Sequence, residues 1–242
     1  MKNKITIDEI YAAKFIRRKN RFVIEAKLTE DTSYHNKGNI VEAHLPDPGR
    51  LKELLIKGAQ VYLLPAAAEG RKTDYTAQFI KSSTNNYVSL NSTLPNKIVE
   101  KGLKNKYFSP FKDWSYAAKE FKYHNSRWDF LLENDKEELY LEVKSVTLAR
   151  GTRGFFPDAV SRRAKKHITE LIKISQEKNK KAGLLFIAQR NDVESVEGAV
   201  DIDPEFAEVL EKAEKKGVII SAYKLNIFLN RVELAEEIPV LI

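Results

Sequence analysis

Two carboxylates and a lysine stand on two short runs in which apolar and polar residues alternate. Asp129 lies in the run 127–132, and Glu142 and Lys144 lie in the run 139–144. The alternation predicts two strands, and because strand side chains alternate between faces, Glu142 and Lys144 share one face. Two acids beside an amine could hold a divalent cation and hydrolyse a phosphodiester bond.

The polar segment between the two runs predicts a hairpin turn centred on Asp135 and Lys136. That register sets Asp129 opposite Glu142. Two carboxylates roughly 5 Å apart repel by about 3 kcal/mol at an effective dielectric constant near 20. A Mg²⁺ or Mn²⁺ ion between them would reverse the sign of that interaction. The alternative is a surface hairpin whose charges point into solvent.

A third acid precedes the hairpin. Residues 116–123 predict a strand, and a turn at His124 and Asn125 sets Glu120 against Asp129. We therefore predict Glu120 as an assisting catalytic residue. A slip of one residue at the turn would send Glu120 to the other face of the sheet, as a surface side chain.

The chemistry-bearing residues resemble a known family. Asp129 followed by Glu142-Val143-Lys144 resembles the PD-(D/E)xK nuclease motif, with Trp128 in place of the leading proline. Three longer runs are similar to the sugar fermentation stimulation protein A family, and the resemblance spans nearly the whole chain. These runs are 126–132, 141–148 and 156–160.

The resemblance implies both a fold and an activity. The implied fold is α/β (α+β), with an N-terminal OB-like β-barrel and a C-terminal restriction-endonuclease-like mixed-sheet domain. The implied activity is a nuclease that uses Mg²⁺ or Mn²⁺ held by Asp129, Glu142 and the backbone carbonyl of Val143, with Lys144 stabilising the transition state. The alternative is a non-catalytic DNA-binding regulator of sugar metabolism genes that uses a nuclease-like scaffold.

The N-terminal part of the chain predicts the barrel. Short strand-like runs are separated by turn signals, with a tight turn at 19–20 and a single short helix at 50–56. We place the barrel at residues 1–84 and the nuclease-like domain at 85–242, of which 85–115 is the connection, with a helical pattern at 97–106. The predicted strands are 5–10, 14–18, 21–28, 39–43, 60–64, 75–81 and 87–90.

The C-terminal part predicts the second domain. Its order from residue 116 is strand, strand, strand, helix, strand, helix, strand, as expected of a restriction-endonuclease-like domain. The later elements are helices at 158–178 and 204–216 and strands at 182–188 and 218–225. Val160 and Ala164 begin the predicted apolar stripe of the first helix. Asp201 and Asp203 precede the second helix, where helix capping accounts for them.

Basic side chains give the predicted contacts with nucleic acid, either DNA or RNA. Residues 1–181 carry 35 Lys and Arg against 22 Asp and Glu, and a basic field of this kind attracts polyanions. The Lys166-His167 pair is carried over from the pattern of the resembled family, as candidate active-site contacts. The predicted contacts are Arg17, Arg18, Arg21, Arg50, Arg127, Arg150, Arg153, Arg163, Lys166 and His167.

Each group of contacts has a structural alternative. Cations near Phe15 and Phe22 could accompany stacked bases, or both rings could face the barrel core. The loop 44–50 could offer a helix start to a phosphate, or form a structural corner. The glycine-rich segment 149–154 could be a substrate loop or a plain connector, and the cations of helix 158–178 could be ordinary surface residues.

Composition excludes several classes of protein and of binding site. The chain has 242 residues, a net charge of +7 and a 43% hydrophobic fraction, which is ordinary for a soluble protein. Without cysteine it has no disulfide-linked partner and no thiolate metal site. No apolar run is long enough to span a bilayer, so we expect no membrane partner and a cytoplasmic location. A homo-oligomer is compatible with the sequence.

Overall fold

The computed structural model describes residues 3–66 and 70–242. The chain forms two compact units. The smaller unit contains Ile5–Leu94 and Asn226–Val232, and the larger contains Pro95–Leu225 and Glu233–Ile242 with the first residues of the chain. The smaller unit therefore extends beyond the predicted boundary at residue 84. None of the helices among the described residues is long and apolar enough to cross a bilayer.

The smaller unit is the predicted barrel. Its strands pair in the order β4-β3-β2-β5-β6-β7, and an additional β4–β6 pairing closes five of them into a ring. Apolar residues at alternating positions, such as Ile24, Ala26 and Leu28, are buried inside. After β1 (Lys4–Thr6), these strands are β2 (Tyr11–Asn20), β3 (Val23–Leu28), β4 (Ile40–His44), β5 (Gln60–Pro65), β6 (Tyr75–Lys81) and β7 (Tyr87–Ser89).

Three local predictions in the barrel are wrong. The strand predicted at 5–10 is only the short β1, and it pairs with the strand Arg231–Ile238 in a different sheet. Residues 50–56 form turns rather than a helix. Leu51 has a φ of 49°, and Leu51 and Leu54 are both 2% exposed. The chain bends so that both side chains enter the barrel core, and no helix start faces a phosphate. The hairpin turn between β2 and β3 lies at Arg21 and Phe22 rather than at 19–20, because β2 continues to Asn20.

The larger unit surrounds a seven-stranded sheet of order β1-β16-β15-β13-β10-β9-β8, and a second sheet has the order β11-β12-β14-β17. In the first sheet β8, β9 and β10 are antiparallel, whereas β10, β13 and β15 are parallel. The elements are α1 (Leu94–Lys104), a 3-10 helix (Ser109–Phe111), β8 (Ser115–Tyr123), β9 (Ser126–Glu133), β10 (Glu138–Val146), β11 (Leu148–Arg150), β12 (Arg153–Phe156), α2 (Arg162–Ile174), β13 (Lys180–Ala188), β14 (Ser195–Gly198), α3 (Pro204–Lys215), β15 (Ile219–Phe228), β16 (Arg231–Ile238) and β17 (Val240–Leu241).

The predicted order of major elements is confirmed, with two local differences. Residues 149–154 form part of the β11–β12 hairpin instead of a flexible loop. Helix α2 begins at Arg162 and not at 158, because the Ser161 hydroxyl accepts a hydrogen bond from the amide of Ala164 and caps the helix. Val160 consequently lies outside the helix and is 64% exposed. Asp203 caps α3 as predicted.

Helix α2 packs its apolar stripe onto the sheet that carries the acids. Ile168 and Leu171 are fully buried in one core with Trp128 of β9 and Phe186 of β13. This packing fixes the rotation of the helix about its axis. The adjacent His167 therefore points at β10, the strand with Glu142 and Lys144.

Candidate active site

The candidate site lies where β9 and β10 separate. Their paired register, which is the predicted one, ends at Leu141 and Phe130. One residue further along β9, Asp129 Oδ2 accepts a hydrogen bond of 2.8 Å from the amide of Val143. A side-chain carboxylate therefore satisfies a strand amide at the point where the backbone pairing of β9 and β10 stops.

The other Asp129 oxygen is held by a helix. Asn96 of α1 donates a hydrogen bond of 2.6 Å from Nδ2 to Asp129 Oδ1. Burial, followed by the charge of Glu142, raises the pKa of Asp129 to about 6, against the opposing effects of the Val143 amide, Lys144 and Asn96. The charge of Glu142 thus disfavours ionisation of Asp129, in addition to the effect of burial.

Glu142 is the more deeply buried acid, with 4% of its surface exposed. Its Oε1 accepts a hydrogen bond from Lys144 Nζ and lies 2.8 Å from His167 Nδ1. Burial acts to raise the pKa of Glu142, but the His167 hydrogen bond and the Lys144 charge outweigh it, and the pKa lies below the ordinary value. An ionised carboxylate can only accept, so the His167 ring donates to it.

The second oxygen of Glu142 has no such support. Glu142 Oε2 is buried and has no hydrogen-bond partner among the described residues. A buried charged oxygen without a partner is costly, and such an atom in a native protein is expected to meet a water or an ion. The orphaned oxygen beside a second carboxylate therefore fits a hard divalent cation.

The protein donors at this position are few. The described residues contain no set of three or more His, Asp or Glu side chains placed to hold a metal. Asp129 and Glu142 would be the side-chain ligands, with the Val143 carbonyl as the predicted backbone ligand. One or two carboxylates with the rest of the shell left to water and substrate is the usual arrangement for Mg²⁺.

His167 lies at the candidate site, where the resembled family's pattern puts it, but not as a contact for nucleic acid. It is 6% exposed and lies behind Glu142. Its ring packs against Trp128 at a centroid distance of 5.6 Å. The apolar residue that replaces the motif's proline thus supports the histidine that orients the glutamate.

Glu120 is not joined to the two acids. The predicted β8–β9 register is confirmed on both sides of it, by Lys119 with Phe130 and by Phe121 with Trp128. However, Glu120 has a φ of 47°. Its carboxylate is 65% exposed and pairs with Arg127 at 3.4 Å. The backbone bends at this residue, and the side chain turns toward solvent.

The predicted cations of the barrel have mixed roles. Arg18 donates to the backbone carbonyls of Gly49, Arg50, Arg21 and Asp47, so it holds the 44–50 loop in its folded shape. Of the two alternatives for this loop, a phosphate-binding helix start and a structural corner, the structure has the corner. Arg17 forms a two-bond ion pair with Glu25, whereas Arg50 is exposed.

The tip of the β2–β3 hairpin keeps an open aromatic surface. Phe15 is buried in the barrel, but Phe22 is 47% exposed. The Arg21 guanidinium lies 5.7 Å from the centre of the Phe22 ring. A cation beside an exposed ring is a suitable surface for a nucleic-acid base.

The predicted cations of the larger unit are divided between paired and exposed positions. Arg150 pairs with Asp201, and Arg153 pairs with Glu197. Arg163 is exposed on α2, and Lys166 is 56% exposed with Glu170 at 3.8 Å.

The sequence does not predict Asn96 as a site residue. Its hydrogen-bond partner Asp129 is 33 positions away, so no local pattern indicates the contact.

Comparisons with known proteins agree with this architecture. The family model described as the SfsA N-terminal OB domain matches residues 16–90, and that of the sugar fermentation stimulation protein RE domain matches residues 93–231. A sugar fermentation stimulation protein homolog of Shouchella clausii is 41% identical, with 94% of this chain and 96% of the relative covered. The homolog of Methanosphaera stadtmanae is also 41% identical, with 91% and 89% covered.

A solved structure gives the same result. It is that of Pyrococcus furiosus SfsA in complex with Ca²⁺, which is 30% identical to this chain. The two structures superpose with a TM-score of 0.87 over 100% of both chains. The similarity therefore covers both units.

Proposed function

This chain belongs to the sugar fermentation stimulation protein family, and we propose that it is a nuclease that depends on Mg²⁺ or Mn²⁺. The observation that carries the proposal is Glu142 Oε2, a buried carboxylate oxygen without a hydrogen-bond partner among the described residues. It lies on the residue that also binds Lys144 and His167. The Ca²⁺ complex of the related Pyrococcus furiosus protein supports a cation in this family.

A bound divalent cation would supply a water of lowered pKa and polarise the phosphate. The residues of the chain prepare the place for it. His167 and Lys144 both bind Oε1 of Glu142, which fixes the carboxylate and leaves Oε2 for the cation. Asp129 is fixed differently, by one donor to each of its oxygens, and each oxygen keeps a second lone pair for the cation. Neither acid has to reorient when the cation binds.

Lys144 has a second task in this proposal. Its side chain is 14% exposed, so it is mostly shielded but still reached by solvent. An ammonium group has three donors, and the bond to Glu142 uses one of them. The remaining donors can stabilise negative charge as it develops on the phosphate.

Nucleic acid is the substrate that the charge distribution favours. The chain has a net charge of +7. Arg163 and Lys166 are exposed on α2, the helix whose His167 touches Glu142. In the barrel, Arg21 and Phe22 offer a cation and a ring at one hairpin tip. These surfaces would bind the phosphate backbone and stack a base, respectively.

A cleavage assay tests the proposal. The full chain is incubated with end-labelled single- and double-stranded DNA and RNA in Mg²⁺, Mn²⁺ or EDTA. We expect cation-dependent cleavage that is lost in Lys144→Ala and retained in Lys136→Ala, a control in the exposed turn of the same hairpin. A shifted but intact nucleic acid under every condition would instead identify a DNA-binding regulator and refute the nuclease.

A further inference from the structure

We infer that Asn96 is a positioning residue that fixes the Asp129 carboxylate for cation binding. The inference rests on the proposed cation site and adds a residue that lies outside the Asp-Glu-Lys motif. Asn96 stands in the first turn of α1 and is half-buried. Its amide reaches across to β9 and donates to Asp129 Oδ1 at 2.6 Å.

The orientation of Asp129 is set by two donors. The Val143 amide holds Oδ2, and the Asn96 amide holds Oδ1. With one donor alone, the carboxylate could rotate about its last side-chain bond, a torsion that is soft in aspartate. The second donor removes that freedom. The plane of the carboxylate is thereby fixed before any ligand arrives.

The chemical type of the donor matters as much as its position. Glu142 is held by Lys144, whose positive charge partly neutralises it. Asp129 is held by a backbone amide and a side-chain amide, both of which are neutral. Neutral donors orient the carboxylate and leave its full negative charge to attract a cation. A lysine or arginine at position 96 would also orient the carboxylate, but its positive charge would oppose cation binding.

Side-chain hydrogen bonds hold helix α1 against β8 and so fix the position from which the Asn96 amide donates. Glu100 of the helix binds Lys119 of β8 at 2.8 Å and Tyr116 of β8 at 3.2 Å. The hydrogen bond from Lys104 of the same helix, followed by that from Lys119, lowers the pKa of Glu100 to about 2. The two contacts with β8 tie the helix to the strand beside β9, so Asn96 reaches Asp129 from a fixed position.

The test is calorimetric titration of the full chain with Ca²⁺ and with Mn²⁺, without nucleic acid. We expect Asn96→Ala to weaken cation binding about tenfold, the lower end of what loss of an outer partner costs a metal site. Asn96→Ser should weaken binding by the same factor, because the shorter side chain cannot reach Oδ1. The serine variant serves if the alanine variant folds poorly, since its hydroxyl keeps a polar group at this position. Lys97→Ala, on the exposed side of the same turn, is the matched control and should stay within about twofold of the parent protein.

A second readout separates positioning from mere structural support. In the cleavage assay, the Mn²⁺ concentration for half-maximal rate should rise about tenfold in Asn96→Ala, while the rate at saturating Mn²⁺ falls less than about threefold. Folded Asn96 variants that bind both cations like the parent protein would overturn the inference. A parent protein that binds cations without cleaving would refute the nuclease and leave the inference intact, whereas one that binds no cation would refute both.

Discussion

The clearest physical consequence of the site concerns the charge on Asp129 and the stability of the protein. The pKa of this group is raised to about 6 in the folded protein, first by burial and second by Glu142. In the unfolded chain the pKa of aspartate is about 3.9. The folded state therefore binds this proton more tightly than the unfolded state. The contribution of Asp129 to the free energy of unfolding must then fall as the pH rises from about 4 to above 6.

The magnitude follows from the two pKa values. A difference of about 2 units at roughly 1.4 kcal/mol per unit amounts to about 3 kcal/mol of destabilisation at neutral pH. Asp129→Asn removes the ionisation and therefore removes the pH-dependent loss. The asparagine also has only one acceptor for the two donors Val143 and Asn96, but that cost does not change with pH.

The assay is urea unfolding of the parent protein and of Asp129→Asn in EDTA, at several pH values between 4 and 7.5. The free energy of unfolding of the variant minus that of the parent should increase by about 3 kcal/mol from the low to the high end. Contributions from distant groups cancel in this difference. A difference that stays constant within about 0.5 kcal/mol would refute the account of a buried, repelled carboxylate at position 129.

Three further outcomes are expected. His167→Ala should lower the free energy of unfolding by about 1–3 kcal/mol and weaken Ca²⁺ binding in calorimetry, because the buried Glu142 loses a hydrogen-bond donor. Unchanged Ca²⁺ binding would show that His167 does not support the cation site. Arg18→Ala should lower the free energy of unfolding by about 2 kcal/mol, because several loop carbonyls lose their donor. Arg17→Ala, in an exposed ion pair, should leave the free energy of unfolding nearly unchanged, and equal effects of the two substitutions in urea unfolding would contradict the assignment. Gly102→Ala should lower the free energy of unfolding by about 1–3 kcal/mol, because the added Cβ would lie 2.5 Å from a ring atom of Phe108. Alanine favours helix over glycine, so a more stable variant in thermal or urea unfolding would contradict this packing.

The register of the β9–β10 hairpin could be predicted because its causes are local. Alternating apolar residues define the strands, and the turn between them has a polar residue that organises it. Asn134 Oδ1 accepts from the amides of Lys136 and Glu137 at 2.9 Å each. The predicted pairing holds as far as Leu141 and Phe130. The separation of the strands beyond this pair has no local signal.

The partners of charged residues could not be predicted, because they come from distant parts of the chain. Arg150 was interpreted as a phosphate contact, but it binds Asp201, 51 positions later. Arg18 appeared to be one of several cations at a turn and instead holds the carbonyl of Gly49. Sequence shows which residues are charged, whereas the fold determines which charges are already neutralised.

Local pattern was misleading where the core imposed another shape. Leu51, Leu54 and Leu55 have helical spacing, yet residues 50–56 form turns, because the barrel core receives both Leu51 and Leu54. The opposite error concerns Asn96, which lies just before the helical pattern predicted at 97–106, in the segment predicted as the connection between the domains. Its importance arises from the approach of α1 to β9, which is a tertiary event.

In the proposed nuclease, a divalent cation held by Glu142 would drive phosphodiester hydrolysis. Single-turnover cleavage in Mn²⁺ by the parent protein and by Glu142→Gln tests this role, because the isosteric change keeps an oxygen but removes the charge. We expect the cleavage rate to fall about 100-fold or more, while the dissociation constant for the same nucleic acid changes less than about threefold. Equal cleavage rates in the two folded proteins would contradict it.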